Sequence, residues 1–201
     1  QRFGGWYVTG LANFTNHWGN FIGQSTPQGL QKIPAPPGTL FSYERYLMPG
    51  SDVLPQLLHE HQIGFVNRAI EATYRTRTHL ADDHGKLSAA HAAELDAQAR
   101  ALTRYLLFAD EAPLPVGGIA GEEEFKRDFT SVRRLGPNGA SLKDFDLRTR
   151  LFRHRCSYMI YTSLFAGLPP EMKQRVYKRL GEALSTVKSD KEFAYLPDDE
   201  K

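Results

Sequence analysis

The stretch SDVLPQLLHEHQIGFVNRAIEATYRTR, residues 51–77, decides how the rest of the chain is read. Leu54, Leu57, Leu58, His61, Phe65, Arg68 and Ala72 recur at steps of three and four, the spacing of one helix face. Ser51 or Asp52 supplies an N-cap. Pro55 falls in the first turn, where a missing N–H is tolerated. Ile63, Val66 and Ile70 widen the apolar face, which predicts a central helix running to about Arg77.

Downstream, His79 to Lys86 reads as a polar loop containing Gly85. Ser88 caps a second helix over 88–110, with Leu95, Ala99, Leu102, Tyr105 and Leu106 as its stripe. Pro113, Pro115, Gly117 and Gly118 make the next stretch a loop. A short charged helix, 122–134, is held by Phe125, Phe129 and Val132. After a Gly136-Pro137-Asn138-Gly139 turn, Asp144 or Asp146 caps a helix through about Phe165. Leu168-Pro169-Pro170 separates it from a last helix, 170–186, carrying Met172, Val176, Leu180 and Leu184. Leu196 to Lys201 has Pro and acids in the pattern of a further helix start.

Upstream, residues 1–50 are rich in Gly, Pro and aromatics. Trp6 to Thr9 reads as a strand, and Asn16 to Ile22 as a returning strand or a loop. Pro27, Pro34, Pro36 and Pro37 force 24–38 to be extended or turning. A strand needs a neighbour for its backbone groups. The expectation is that this neighbour lies outside the chain, which would then be a segment of a longer polypeptide. The predicted fold is mainly α: about five helices in an irregular bundle, with a short N-terminal strand or hairpin and a Pro-rich connection. The predicted division is 1–50, completing an upstream domain, and 51–201, a helical domain.

Hydrophobic residues make up 41% and charged residues 24% of the 201, so a packed core is expected rather than wholesale disorder. A net charge of +2 is too mild for a nucleic-acid-binding face. No run approaches the roughly 18 apolar residues of a membrane span. Cys156 is the single cysteine, so there is no internal disulfide and no Cys-x-x-Cys-His haem-attachment run. Beside an apolar stretch, it reads as a small core residue.

His61 is the leading candidate for chemistry, because the helical period places it on the core side. A histidine there finds a partner or stays neutral. A core histidine bonded within the protein and a metal or haem-iron ligand are both open. His59, about 200° round the helix, does not make the i, i+4 pair of a zinc site. His17 sits among Asn16, Trp18, Gly19 and Asn20, neighbours that suit a flat cofactor or a tight turn equally. Arg148, Arg150, Arg153 and Arg155 surround His154. They fit an anionic group such as a haem propionate, or a solvated face paired with acids. His79, His84 and His91 read as solvent-facing.

Several stretches, taken together and in order, resemble a family of bacterial proteins related to c-type cytochromes. They are Phe3 to Gly10, His17 to Asn20, Glu60-His61-Gln62, Tyr105 to Pro115, Asp146 to Leu151, Cys156-Ser157-Tyr158 and Phe165 to Pro169. The resemblance implies a haem c attached upstream of these residues, and export, because c-type haem is attached outside the cytoplasm. It implies a periplasmic or otherwise extracytoplasmic redox or sensor protein, partnered by an upstream haem-bearing domain and a redox protein. Carried over by position, His17 and His61 are the candidate iron ligands, with Trp6, Trp18 and Arg148 as further cofactor contacts. The family often has His-Met-Gly-Asn where this chain has His17-Trp18-Gly19-Asn20, so a Met ligand is lost at position 18. The alternative from another class is a non-catalytic helical interaction module without cofactor contact. In that reading His61 is buried and satisfied within the protein. A third is a metal-dependent hydrolase around His59 and His61, which needs a third ligand close by.

Overall fold

A computed structural model describes residues 7–10, 20–34, 42, 44, 50–185 and 191–197. Among them are four short strands, β1 (Tyr7–Thr9), β2 (Phe21–Thr26), β3 (Gly29–Pro34) and β4 (Gly50–Asp52). Five α-helices follow: α1 (Val53–Asp82), α2 (Ala89–Leu106), α3 (Glu123–Ser131), α4 (Ser163–Ala166) and α5 (Pro170–Ala183). Among the described residues the fold is mainly α, with small strand pairs and no closed sheet, as the periodicity predicts. Two compact units interleave along it: 1–58 with 113–132 and 146–151, and 59–112 with 133–145 and 152–201.

In the first unit β1 pairs in parallel with β4, Val8 opposite Ser51. The expected absent neighbour of this strand is therefore corrected: its partner lies in the chain itself. Asn20 serves the backbone of Val8, accepting its N–H at 2.6 Å and donating to its carbonyl at 2.7 Å. Its left-handed backbone, φ 64°, is one that asparagine tolerates. β2 and β3 form an antiparallel hairpin with Ile22 opposite Ile33. Phe21 and Ile22, at the end of the stretch that reads as strand or loop, are therefore strand, and residues 16–19 lie outside the described residues.

Asp52 joins two helix starts. Its Oδ1 accepts the Leu54 N–H at 3.1 Å, capping α1, and its Oδ2 accepts the Glu122 N–H at 2.7 Å, just before α3. The Gly10 carbonyl accepts the N–H groups of Ala120 and Gly121. The 113–121 loop is fixed further by Ile119 N–H to Leu147 O at 2.9 Å. Gly118 has φ +72°, and a Cβ there would stand 2.2 Å from the Leu147 carbonyl oxygen.

The predicted helix from Asp144 or Asp146 to Phe165 does not form. Asp146 instead accepts the Arg148 N–H and the Thr149 hydroxyl, and the Leu147 N–H bonds forward to Arg150 O. Local side-chain acceptors outcompete the helix here. Leu147 adopts φ 59°, which ends any right-handed run. Helical structure resumes only in a 3₁₀ turn, Tyr158–Tyr161, and the single turn of α4.

In the second unit the core is built from Phe65, Ala69 and Ala72 of α1, Leu95, Ala99, Leu102 and Leu106 of α2, and Met172 and Val176 of α5. All are essentially inaccessible to solvent. The buried line of α1 is Leu54, Leu58, His61, Phe65, Ala69, Ala72, Thr76 and His79. The predicted broad apolar face is narrower in fact: Ile63 and Ile70 are each 42% exposed, Arg68 is exposed, and Leu57 and Val66 are half-buried.

Helix α1 overruns its predicted end by a turn, and α2 stops short of 110. Both close in the Schellman arrangement. In α1 Gly85 N–H bonds Leu80 O and His84 N–H bonds Ala81 O; in α2 Ala109 N–H bonds Arg104 O and Phe108 N–H bonds Tyr105 O. The left-handed residues are His84 (φ 51°) and Phe108 (φ 55°), not glycines.

Two glycine substitutions test this packing. Gly118→Ala is expected to destabilise by at least about 2 kcal/mol, through backbone strain and the clash with Leu147 O. Gly181→Ala, in α5 with nothing near its Cβ, is expected to stabilise by about 0.5–1 kcal/mol. Urea unfolding of both variants checks the pair.

Candidate functional site

His61 is a core-facing residue of α1 with acid–base chemistry near neutral pH and a buried partner far along the chain. Its Nε2 lies 2.6 Å from Ser157 Oγ, 96 positions away, and both side chains are buried. Ser157 is placed by its own backbone and by the turn it caps. Its N–H donates to Leu106 O at 2.8 Å, in the last turn of α2, and its Oγ accepts the Met159 N–H at 3.1 Å. That leaves the hydroxyl one proton to give and one lone pair to offer. It therefore satisfies either neutral tautomer of the imidazole.

Aromatic rings enclose the pair. Tyr105 and Phe108 stack with the His61 ring at 5.3 and 4.9 Å between centroids, and Phe152 and Tyr158 tilt toward it at 6.3 and 6.1 Å. Tyr105 also donates its hydroxyl to the His61 carbonyl at 3.0 Å, and Gln62 donates to the Tyr158 hydroxyl at 2.9 Å. The Arg68 guanidinium lies 4.1 Å over the Tyr105 ring. Gly64 makes this approach possible: a Cβ there would stand 2.0 Å from the Tyr105 hydroxyl.

Burial in this apolar box pushes the His61 pKa down to about 4, so the ring is neutral at pH 7. Ser157 has no exposed surface, so its hydroxyl is a partner for the ring and is not placed to attack a solute. Burial likewise pushes the Cys156 thiol up to about 11, which makes it a poor thiolate source.

The other candidates fall elsewhere. His17, Trp6 and Trp18 lie outside the described residues. Arg148 is exposed in the 146–151 loop of the first unit. Arg150 and Arg155 pair with Asp146 and Glu111. His59 is exposed, and among the described residues no group of three or more His, Cys, Asp or Glu side chains is arranged to hold a metal.

His79 and His91 depart from the solvent-facing expectation. His79 is buried and its ring stacks on that of half-buried His91 at 4.0 Å. Glu94 lies 3.0 Å from His79 Nε2 and Asp83 lies 2.8 Å from His91 Nδ1. The Ser88 N–H, followed by His91, holds the Asp83 carboxyl below its ordinary range.

Comparison with family models, curated proteins and solved structures finds no match to this chain.

Two measurements probe the His61 pair. Ser157→Ala leaves a buried ring nitrogen without its partner and uncaps the Met159 N–H, at an expected cost of about 2 kcal/mol in chemical unfolding. The pH dependence has a definite sign. The folded pKa of about 4 lies below the ordinary 6.5, so the stabilisation is complete above pH 6.5 and is lost as pH falls through 4. It amounts to about 3 kcal/mol. His61→Leu is expected to flatten the unfolding free energy over that window, whatever its stability at pH 7.

Proposed function

We propose that this chain is a helical module of a haem-associated, c-type-cytochrome-like extracytoplasmic redox or sensor protein, packing over a haem carried upstream in the same polypeptide. The observation that carries the reading is a convergence. Glu60-His61-Gln62, Tyr105 to Pro115 and Cys156-Ser157-Tyr158 are three of the separate stretches on which the family resemblance rests. Gln62, Tyr105, Phe108, Ser157 and Tyr158, drawn from all three, gather around the one neutral imidazole of His61. Stretches 44 and 96 positions apart have no local reason to share a pattern. A shared site gives them one.

In this reading His61 organises the core beside the cofactor, and the axial ligand comes from His17 or from another part of the polypeptide. His61 reaches iron only by giving up Ser157. A second reading, an interaction module without cofactor contact, is favoured by that same hydrogen bond, since a histidine satisfied inside the protein needs no ligand.

Expression of the full-length polypeptide with cytochrome maturation machinery separates them. The expected result is a covalent haem spectrum whose ligand-sensitive bands survive His61→Ala, with a lowered melting temperature, and shift in His17→Ala. Bands that move in His61→Ala make it the ligand after all. Absence of covalent haem leaves the interaction module.

A further inference from the structure

Residues 191–197, Lys-Glu-Phe-Ala-Tyr-Leu-Pro, lie against α2 in the manner of a docked peptide. The Glu192 carboxylate receives Arg100 Nε at 2.8 and 3.0 Å and Arg104 Nη1 at 3.1 Å. Its side chain is only 9% exposed. Phe193 and Leu196 are buried to 3% and 2% exposure, and Tyr195 donates its hydroxyl to Leu107 O at 2.9 Å. A Leu196 N–H to Phe193 O bond folds the segment into a turn that presents both anchors. Arg104 is held from its other end by Asp110, at 2.6 Å from Nη2, so the receiving guanidinium is pre-oriented.

We propose that the Arg100–Arg104 face of α2 is a docking site for acidic–aromatic peptide segments, and that residues 191–197 occupy it in cis as a displaceable strap. The chemistry it selects is read from its occupant: a carboxylate for the paired guanidiniums, an aromatic ring at the next residue, and an aliphatic anchor three residues beyond. A partner displaying that pattern competes for the same face. The contest is uneven while the strap is intact. The strap belongs to the same chain, so it competes intramolecularly with any free segment. The site is thus closed to weak segments and opens to them when the strap's own anchors are weakened.

The test uses the 201-residue chain and a fluorescein-labelled peptide of sequence KEFAYLP, read by anisotropy. The variant carrying Phe193→Ala and Leu196→Ala is expected to bind the peptide with a Kd of order 10–100 µM, and wild type not measurably at about 100 µM. A peptide with lysine in place of its glutamate is expected to bind the variant at least about tenfold more weakly. A folded variant that ignores the peptide up to about 1 mM overturns the proposal, as does equal binding by wild type. Glu192→Lys, which keeps both anchors and repels the arginines, serves if the double variant loses its fold. Hydrogen exchange of wild type is independent of either variant. Amides 192–196 are expected to exchange faster than those of α2, through local opening. Exchange of both only on global unfolding sinks the idea.

Discussion

A hydrogen bond between His61 Nε2 and Ser157 Oγ, closed inside a box of four aromatic rings, is the constraint around which the second unit is arranged. An imidazole in such surroundings is costly unless it is neutral and paired. Ser157 supplies the pairing from 96 positions away, and burial supplies the neutrality. Ser157 reaches its place because its own N–H is tied to Leu106 O, in the last turn of α2. The turn that ends α2 therefore also positions the partner of α1's buried histidine. Phe108, left-handed at that same turn, is one of the rings stacked on the imidazole. The helix terminus and the polar core are one feature seen from two directions.

The approach of α2 to α1 depends on what α1 lacks as much as on what it carries. Gly64 leaves the volume that the Tyr105 hydroxyl fills on its way to the His61 carbonyl. Ala69 and Ala72 continue the same buried line with the smallest side chains available, and Thr76 adds a hydroxyl that is satisfied by Ala72 O at 2.7 Å. A Gly in mid-helix costs stability relative to Ala. Here that cost is offset by a close packing that no larger residue permits.

Most of the helices were legible because their signals are local. The three- and four-residue spacing of Leu54, Leu58, His61 and Phe65, and the Ser88 cap, are readable from neighbours alone, and α1, α2 and α5 follow from such cues. The errors have one physical origin. Helix ends at His84 and Phe108 use left-handed residues that carry no glycine signature, and the loop at Asp146–Leu151 is held by contacts with the 113–121 loop as well as by its own side chains. The same limit governs the site. Periodicity alone placed His61 in the core, but nothing in residues 51–77 names Ser157, because their bond is a product of tertiary structure. The polar run after His79 reads as loop, whereas α1 continues to Asp82 and carries the ring inward against His91.

The neutral state of His61 bears on its role in an instructive way. A metal ligand must be an unprotonated imidazole, and a pKa near 4 ensures one at any physiological pH. The same value follows from burial alone, with no metal involved. Protonation state thus serves a ligand and a structural histidine equally well. What separates the two roles is the occupancy of Nε2. A ligand nitrogen must face open coordination space, and this one faces a buried hydroxyl at 2.6 Å that is itself fixed by the Met159 N–H. Turning it toward iron would strand Ser157 in the core and disturb stacking with Tyr105 and Phe108. The bond to Ser157 therefore suits His61 to holding this core together.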